Sequence, residues 1–224
     1  IGLGIPAEPL FRSASENAEL FSFANLDKQL QKSFNKLIQN QLREGGWDWY
    51  GQYYYSAYTT HYILTGFYKL LRLGIKLPFS KLNGIIDNTI QRTDRFFEDK
   101  YQFYLKQKEW DAQVQYDYDY VKTDIQYLYM RSFKGIDTAW LSKDYVQHLF
   151  LYATKDIDKQ SYANQAQLSM ILYRMGREDE AKNIVESLRK KAVKNPEIGM
   201  YWPCESNKWG YGQSAVAQQA LMIE

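Results

Sequence analysis

A single cysteine, Cys204, among 224 residues rules out an internal disulfide and any zinc site built from several thiolates. The only histidines, His61 and His148, lie too far apart in sequence for a local metal motif such as His-Glu-x-x-His. Prolines number five. A proline inside a helix removes a hydrogen bond and clashes with the preceding turn, so this scarcity favours long helices over an all-β design. Lys and Arg total 28 against 26 Asp and Glu, and the two signs are interspersed. Without a basic block, nucleic acid is not expected as a partner. No apolar run approaches the ~20 residues a membrane-spanning helix needs, so direct membrane insertion is not expected. Gly45-Gly46 lacks the following Lys-Ser/Thr of a phosphate-binding loop.

What the chain does have is aromatic and apolar side chains at helical spacing. Twenty Tyr, eleven Phe and six Trp supply large rings, and a domain of this size buries roughly 70–75% of the surface of its unfolded chain. Residues 1–13 carry Gly2, Gly4, Pro6 and Pro9 and read as an irregular lead-in; 14–224 reads as one domain. A short helix is expected over Ser15–Ala24. Asn25 reads as the N-cap of a helix whose Leu26, Leu30, Phe34, Leu37, Ile38 and Leu42 share one face, ended by Gly45-Gly46. An aromatic loop with Trp47 and Trp49 follows. Ser56 caps the next helix and Gly74 occupies its C′ position. A long helix then runs from Ser80 past Tyr101, and a Tyr-rich polar loop spans Trp110 to Tyr120. Further helices are predicted over Val121–Phe133, Thr138–Thr154, Gln160–Met175 and Glu178–Val193, then a loop over Asn195–Tyr211, with helix resuming at Ser214. No strand stands out.

Helices joined by short loops are antiparallel neighbours, and such hairpins build either an open solenoid or a closed ring. A solenoid shows a fixed repeat period. None runs through this chain, although Gln160–Val193 alone resembles a tetratricopeptide unit. Uneven helix and loop lengths favour the ring. The expected fold is all-α, an α/α toroid of antiparallel helical hairpins. The chain begins at Ile1 without an initiating Met or signal peptide and stops within a helical pattern at Met222-Ile223-Glu224, so a piece of a longer protein is expected.

Few residues suggest chemistry. His61 and His148 sit within helical patterns and read as hydrogen-bonded structural histidines. Cys204 would need a depressed pKa to react; with Lys208 as its only nearby cation in sequence, it reads as a plain unpaired thiol. Asp117, Asp119 and Asp124 lie among Tyr116, Tyr118 and Tyr120. Toroid glycosidases and lyases place an acid–base pair in an aromatic bowl, which makes segment 116–124 the basis of an alternative carbohydrate-active enzyme. The plainer reading is a solvated Tyr/Asp loop. Trp47 and Trp49, and Trp202 and Trp209 at a second junction, are expected to seal the ends of the ring, each burying ~150–250 Å². Sugar stacking is their alternative role.

Three blocks in order resemble bacterial alpha-2-macroglobulin-like proteins. The first is Leu42-Arg43-Glu44-Gly45-Gly46-Trp47-Asp48-Trp49 with Tyr58-Thr59-Thr60-His61-Tyr62-Ile63-Leu64-Thr65-Gly66-Phe67 and Leu73-Gly74. The second is Tyr127-Leu128-Tyr129-Met130-Arg131-Ser132-Phe133. The third is Gly199-Met200-Tyr201-Trp202-Pro203 with Gln218-Gln219-Ala220-Leu221-Met222-Ile223-Glu224. The likeness covers roughly residues 18–224. It implies the α/α toroid of terpenoid cyclases and complement thioester domains, and a role in endopeptidase inhibition and host defence. In that family a Cys-x-Glu-Gln motif forms an internal thioester that traps an attacking protease. Cys204 is followed by Glu205-Ser206-Asn207 and lies on the wrong side of the Gly-Gly block, so it is not the counterpart. His61 stands where Gln is common, and Ser214–Gln219 lacks the family's Pro and Glu. The resemblance therefore implies a non-catalytic domain without thioester, cofactor or metal. Its partners would be other domains of the same parent chain and target proteases, and its place exported, periplasmic or membrane-anchored facing the periplasm.

Overall fold

In a computed structural model, residues 23–49, 54–75, 79–115, 118–135, 142–155, 157–203 and 215–224 are described. They form α1 (Phe23–Gln39), α2 (Ala57–Arg72), α3 (Phe79–Trp110), α4 (Tyr118–Ser132), α5 (Lys143–Lys155), α6 (Tyr162–Arg174), α7 (Glu178–Lys191) and α8 (Ala215–Ile223). A hairpin of β1 (Val193–Asn195) and β2 (Gly199–Tyr201) separates α7 from α8. The chain is mostly helical, as expected. Among the described residues no helix is long and apolar enough to cross a membrane.

Local chemistry sets several boundaries. The Ser56 side chain accepts from the Thr59 amide at 3.2 Å and starts α2; Ser161 does the same for Asn164 at the head of α6. Each satisfies an amide that the first helical turn leaves without a partner. At the other end Gly74, with φ 73°, lets Ile75 and Gly74 return hydrogen bonds to Leu70 and Leu71. Arg177 and Gly176 repeat this pattern onto Leu172 and Tyr173. In α7 the first turn holds Glu178, Asp179 and Glu180 and the last Arg189, Lys190 and Lys191, matching the helix dipole.

Other boundaries differ from expectation. Asn25 lies inside α1 rather than capping it, because no Gly or Pro interrupts the helix before it and an interior Asn costs only a fraction of a kcal/mol. The helix stops at Gln39, before the glycines. Trp110 is the last residue of α3 and Tyr118 already opens α4. The hairpin was not foreseen: three-residue strands are too short to show alternation. Its turn is built by Asn195, whose side chain accepts from the Glu197 and Ile198 amides at 2.8 and 3.1 Å, and by Gly199 at φ 83°.

Alternate helices stand side by side: α2 packs on α4, α4 on α6 and α6 on α8. The intervening α3, α5 and α7 pack against α2, α4 and α6. Sequence explains this division. Helix α6 buries Ala163, Asn164, Gln165, Ala166, Leu168, Ser169, Ile171 and Leu172, positions all round its axis, whereas α7 buries the single stripe Ala181, Ile184 and Leu188. One core cluster runs from Phe34 in α1 to Leu188 in α7.

Candidate functional site

The Gly-Gly-aromatic block folds into a turn pressed against its neighbours. Gly45 and Gly46 adopt φ of 93° and 78°, which L side chains rarely tolerate. Space is short as well: a Cβ on Gly46 would meet the Tyr55 ring at 2.7 Å, so that something must shift, and one on Gly45 would meet the Thr89 backbone at a tight 3.2 Å. Threonine hydroxyls bind the turn in place. Thr89 Oγ1 accepts from the Gln41 amide group at 2.8 Å and from the Gly46 N–H at 3.2 Å, and Thr60 Oγ1 accepts from the Trp47 N–H at 3.0 Å.

The first tryptophan pair divides. Trp47 is buried, its ring edge-on to Phe67, and its indole N–H donates to the Leu37 carbonyl at 2.8 Å. Trp49 is 38% exposed and packs on Tyr58, which stacks in turn on the exposed Tyr62. At the second junction Trp202 is buried and donates to the Leu188 carbonyl at 2.7 Å. Its own backbone is clamped by Gln218 and Gln219, whose amide groups reach the Trp202 carbonyl at 3.2 and 2.7 Å. Leu37 and Leu188 both belong to the last turn of a helix, where carbonyls have no partner within the helix. Trp47 and Trp202 thus perform the same task at α1 and α7. Trp209 lies outside the described residues, as do Cys204 and Lys208.

His61 is fully buried between the rings of Phe97 and Tyr127, at 5.3 and 5.7 Å. The expected hydrogen-bond partner is missing: among the described residues nothing reaches either ring nitrogen. Burial, with a smaller push from Lys100, lowers its pKa to about 3, so the ring is neutral at ordinary pH. His148 packs against Tyr101, Tyr104 and Tyr152, and burial followed by Lys108 lowers its pKa to about 4. His61 is a core component of an aromatic stack, and His148 a half-buried member of another.

Beside His61 lie two ion pairs between α3 and α4. Lys100 Nζ is 2.7 Å from Asp124 Oδ1, and Arg131 Nε is 3.4 Å from Asp94 Oδ1, all with side chains at most 13% exposed. Tyr127 also donates its hydroxyl to Asp94. With one acid on each helix facing a base on the other, the pairs bridge two antiparallel helices. This occupies Asp124. Asp117 lies outside the described residues, and the side chain of Asp119 is not described either. Among the described residues no group of three His, Cys, Asp or Glu is placed to hold a metal.

A junction that sequence reasoning missed sits at Glu224. Its carboxylate receives Lys69 of α2 at 2.8 Å, Tyr129 of α4 at 2.7 Å and Arg174 of α6 at 2.8 Å. Nothing local marks these residues, since each comes from a different helix.

Comparison with protein-family profiles, with curated proteins and with solved structures gives no significant match.

Proposed function

We propose that this chain is a non-catalytic helical domain of an alpha-2-macroglobulin-like protein, an α/α toroid that contributes to protease trapping through contacts with other domains of its parent. One observation carries the reading. The carboxylate of Glu224, directly after α8, is held by a cation on α2, the opposite end of the row α2, α4, α6, α8, and this supports a closed arrangement. An open superhelix would keep its first and last members apart. The residues of the resemblance also have work to do. Gly45, Gly46 and Trp47 of the first block build a close-packed turn, and the two halves of the third block are joined through Gln218, Gln219 and the Trp202 carbonyl.

The rival carbohydrate enzyme is weakened by the engagement of Asp124 with Lys100, since a general acid or base must face its substrate. The export and periplasmic setting belong to the same proposal and rest on the resemblance alone. The full-length parent tests it. Treated with a broad-specificity protease, the parent should slow cleavage of a casein-sized substrate while leaving cleavage of a small chromogenic peptide unchanged. Equal cleavage of both with and without the parent would end the trapping reading. This chain alone should take up no radiolabelled methylamine, which reports an internal thioester.

A further inference from the structure

A groove of about 860 Å³ lies between α6, α7, α8 and the hairpin. Its apolar lining comes from Met170, Val185, Leu188, Met200, Leu221 and Met222. Three of the chain's five methionines are therefore in one place. Methionine is flexible and polarizable, and surfaces rich in it accept apolar partners of varied shape. The lining is open to solvent: Val185 is 41% and Met200 48% exposed.

The rim is basic. Arg72 stands at the end contributed by α2, and Lys182 and Arg189 stand along α7. Arg174 is already held by Glu224, and Lys182 lies 3.6 Å from Glu178, an exposed pair of small worth. Among the described residues neither Arg72 nor Arg189 forms an ion pair. Of the lining carboxylates, Glu224 is occupied by its three donors, which leaves Glu186 to oppose an excess of cations.

Length narrows the occupant. The wall from Lys182 to Arg189 spans about 10 Å at 1.5 Å per residue, and the facing stretch of α6 from Ala166 to Tyr173 is equally long. These two turns match the i, i+4, i+7 anchors of an amphipathic helix. An open floor of this shape leaves a small ligand half in water, whereas a helix brings its own outer face.

We propose that the groove docks an acidic amphipathic polypeptide helix, its apolar side chains on the methionine lining and its Asp or Glu residues against Arg72, Lys182 and Arg189. The proposal is independent of the family reading. It is tested on the whole chain with a short fluorescein-labelled peptide carrying leucines at i, i+4 and i+7 and glutamates on the flanks. Anisotropy should saturate in the micromolar range. Replacing the peptide's glutamates by lysines, or combining Arg72→Glu with Arg189→Glu, should weaken binding at least about tenfold. Both arginines are exposed, and circular dichroism checks that the variant remains folded. Independently of any variant, carbon-13 methyl signals of Met170, Met200 and Met222 should shift on adding the peptide, while that of Met130, fully buried in the core, stays put. No saturable binding, equal affinity for the lysine peptide, or unmoved groove methionines would each overturn the proposal.

Discussion

Lys69 in the last turn of α2 holds the Glu224 carboxylate at 2.8 Å, which ties the end of α2 to the residue that follows α8. The same carboxylate takes a hydrogen bond from Tyr129 on α4 and another from Arg174 on α6. Each member of the row thus reaches one point. Arg174 also lies over the Phe133 ring at 4.0 Å and donates to Ser132, which ties the junction to the end of α4.

Glu224→Gln should lower stability at pH 7 by about 1.5–3 kcal/mol, the usual worth of hydrogen bonds to a charged group. Burial alone pushes the carboxyl up, but the hydrogen bonds from Lys69 and Tyr129 and the charges of Lys69 and Arg174 prevail and hold it below its ordinary value. A lowered folded pKa contributes stability above the unfolded pKa and loses it as pH falls through the folded value. The gap between the two proteins in urea denaturation should therefore close as pH drops below about 4.5. A gap that is constant from pH 7 to pH 3 would show that the charge is irrelevant.

The indole N–H groups of Trp47 and Trp202 should each be worth about 1–3 kcal/mol, because their loss leaves a helix-terminal carbonyl without a partner, partly buried at Leu37 and buried at Leu188. Trp47→Phe and Trp202→Phe keep a ring and remove the donor. Chemical denaturation should find both destabilising, while Trp49→Phe stays within about 0.5 kcal/mol as a partly exposed substitution. Comparable effects at Trp47 and Trp49 would contradict the division seen here.

His61 should make the fold sensitive to acid. Its pKa is lowered to about 3 from an ordinary 6.5, so the unfolded chain binds the extra proton between these values. The His61 contribution to stability is full above about 6.5 and falls by up to about 1.4 kcal/mol per pH unit on the way to about 3. His61→Phe should flatten this part of the profile, read by thermal unfolding between pH 7 and pH 4. An unchanged slope would mean that the imidazole is solvated.

Gly46 and Gly74 separate backbone strain from crowding. Their φ values are alike, 78° and 73°, but a Cβ at Gly74 meets nothing within 4 Å and one at Gly46 meets the Tyr55 ring at 2.7 Å. Gly74→Ala should cost about 1–2 kcal/mol for the left-handed conformation alone. Gly46→Ala should cost distinctly more, since Tyr55 is itself held by a hydrogen bond to Thr93 at 2.9 Å. Equal losses in calorimetry would show that Tyr55 moves freely.

Much of the helical layout was legible because its causes are local. Ser56, Gly74 and Gly176 act through hydrogen bonds within a few residues of themselves, so their types mark where helices start and stop. Asn25 misled for the same reason, being a good cap that the continuing helix simply absorbs. The candidate site was less legible. Trp47 and Trp49 are near neighbours in one loop, and which of them goes inside depends on where the Leu37 carbonyl and Thr60 lie. His61 was expected to find a partner and instead fills a space between two rings. Asp124 looked available until Lys100 of the preceding helix was placed beside it.

The amino-acid sequence by itself determined that this chain is mostly helical, where most helices begin and end, and which loops carry large rings. Spacing and caps act over one or two turns, and no distant residue is needed to express them. Only the tertiary structure decided which rings are buried, how Lys100–Asp124 and Asp94–Arg131 pair α3 with α4, and that Lys69, Tyr129 and Arg174 converge on Glu224. Those relationships join residues on different helices, and their energy exists only once the helices have packed and water has left the space between them.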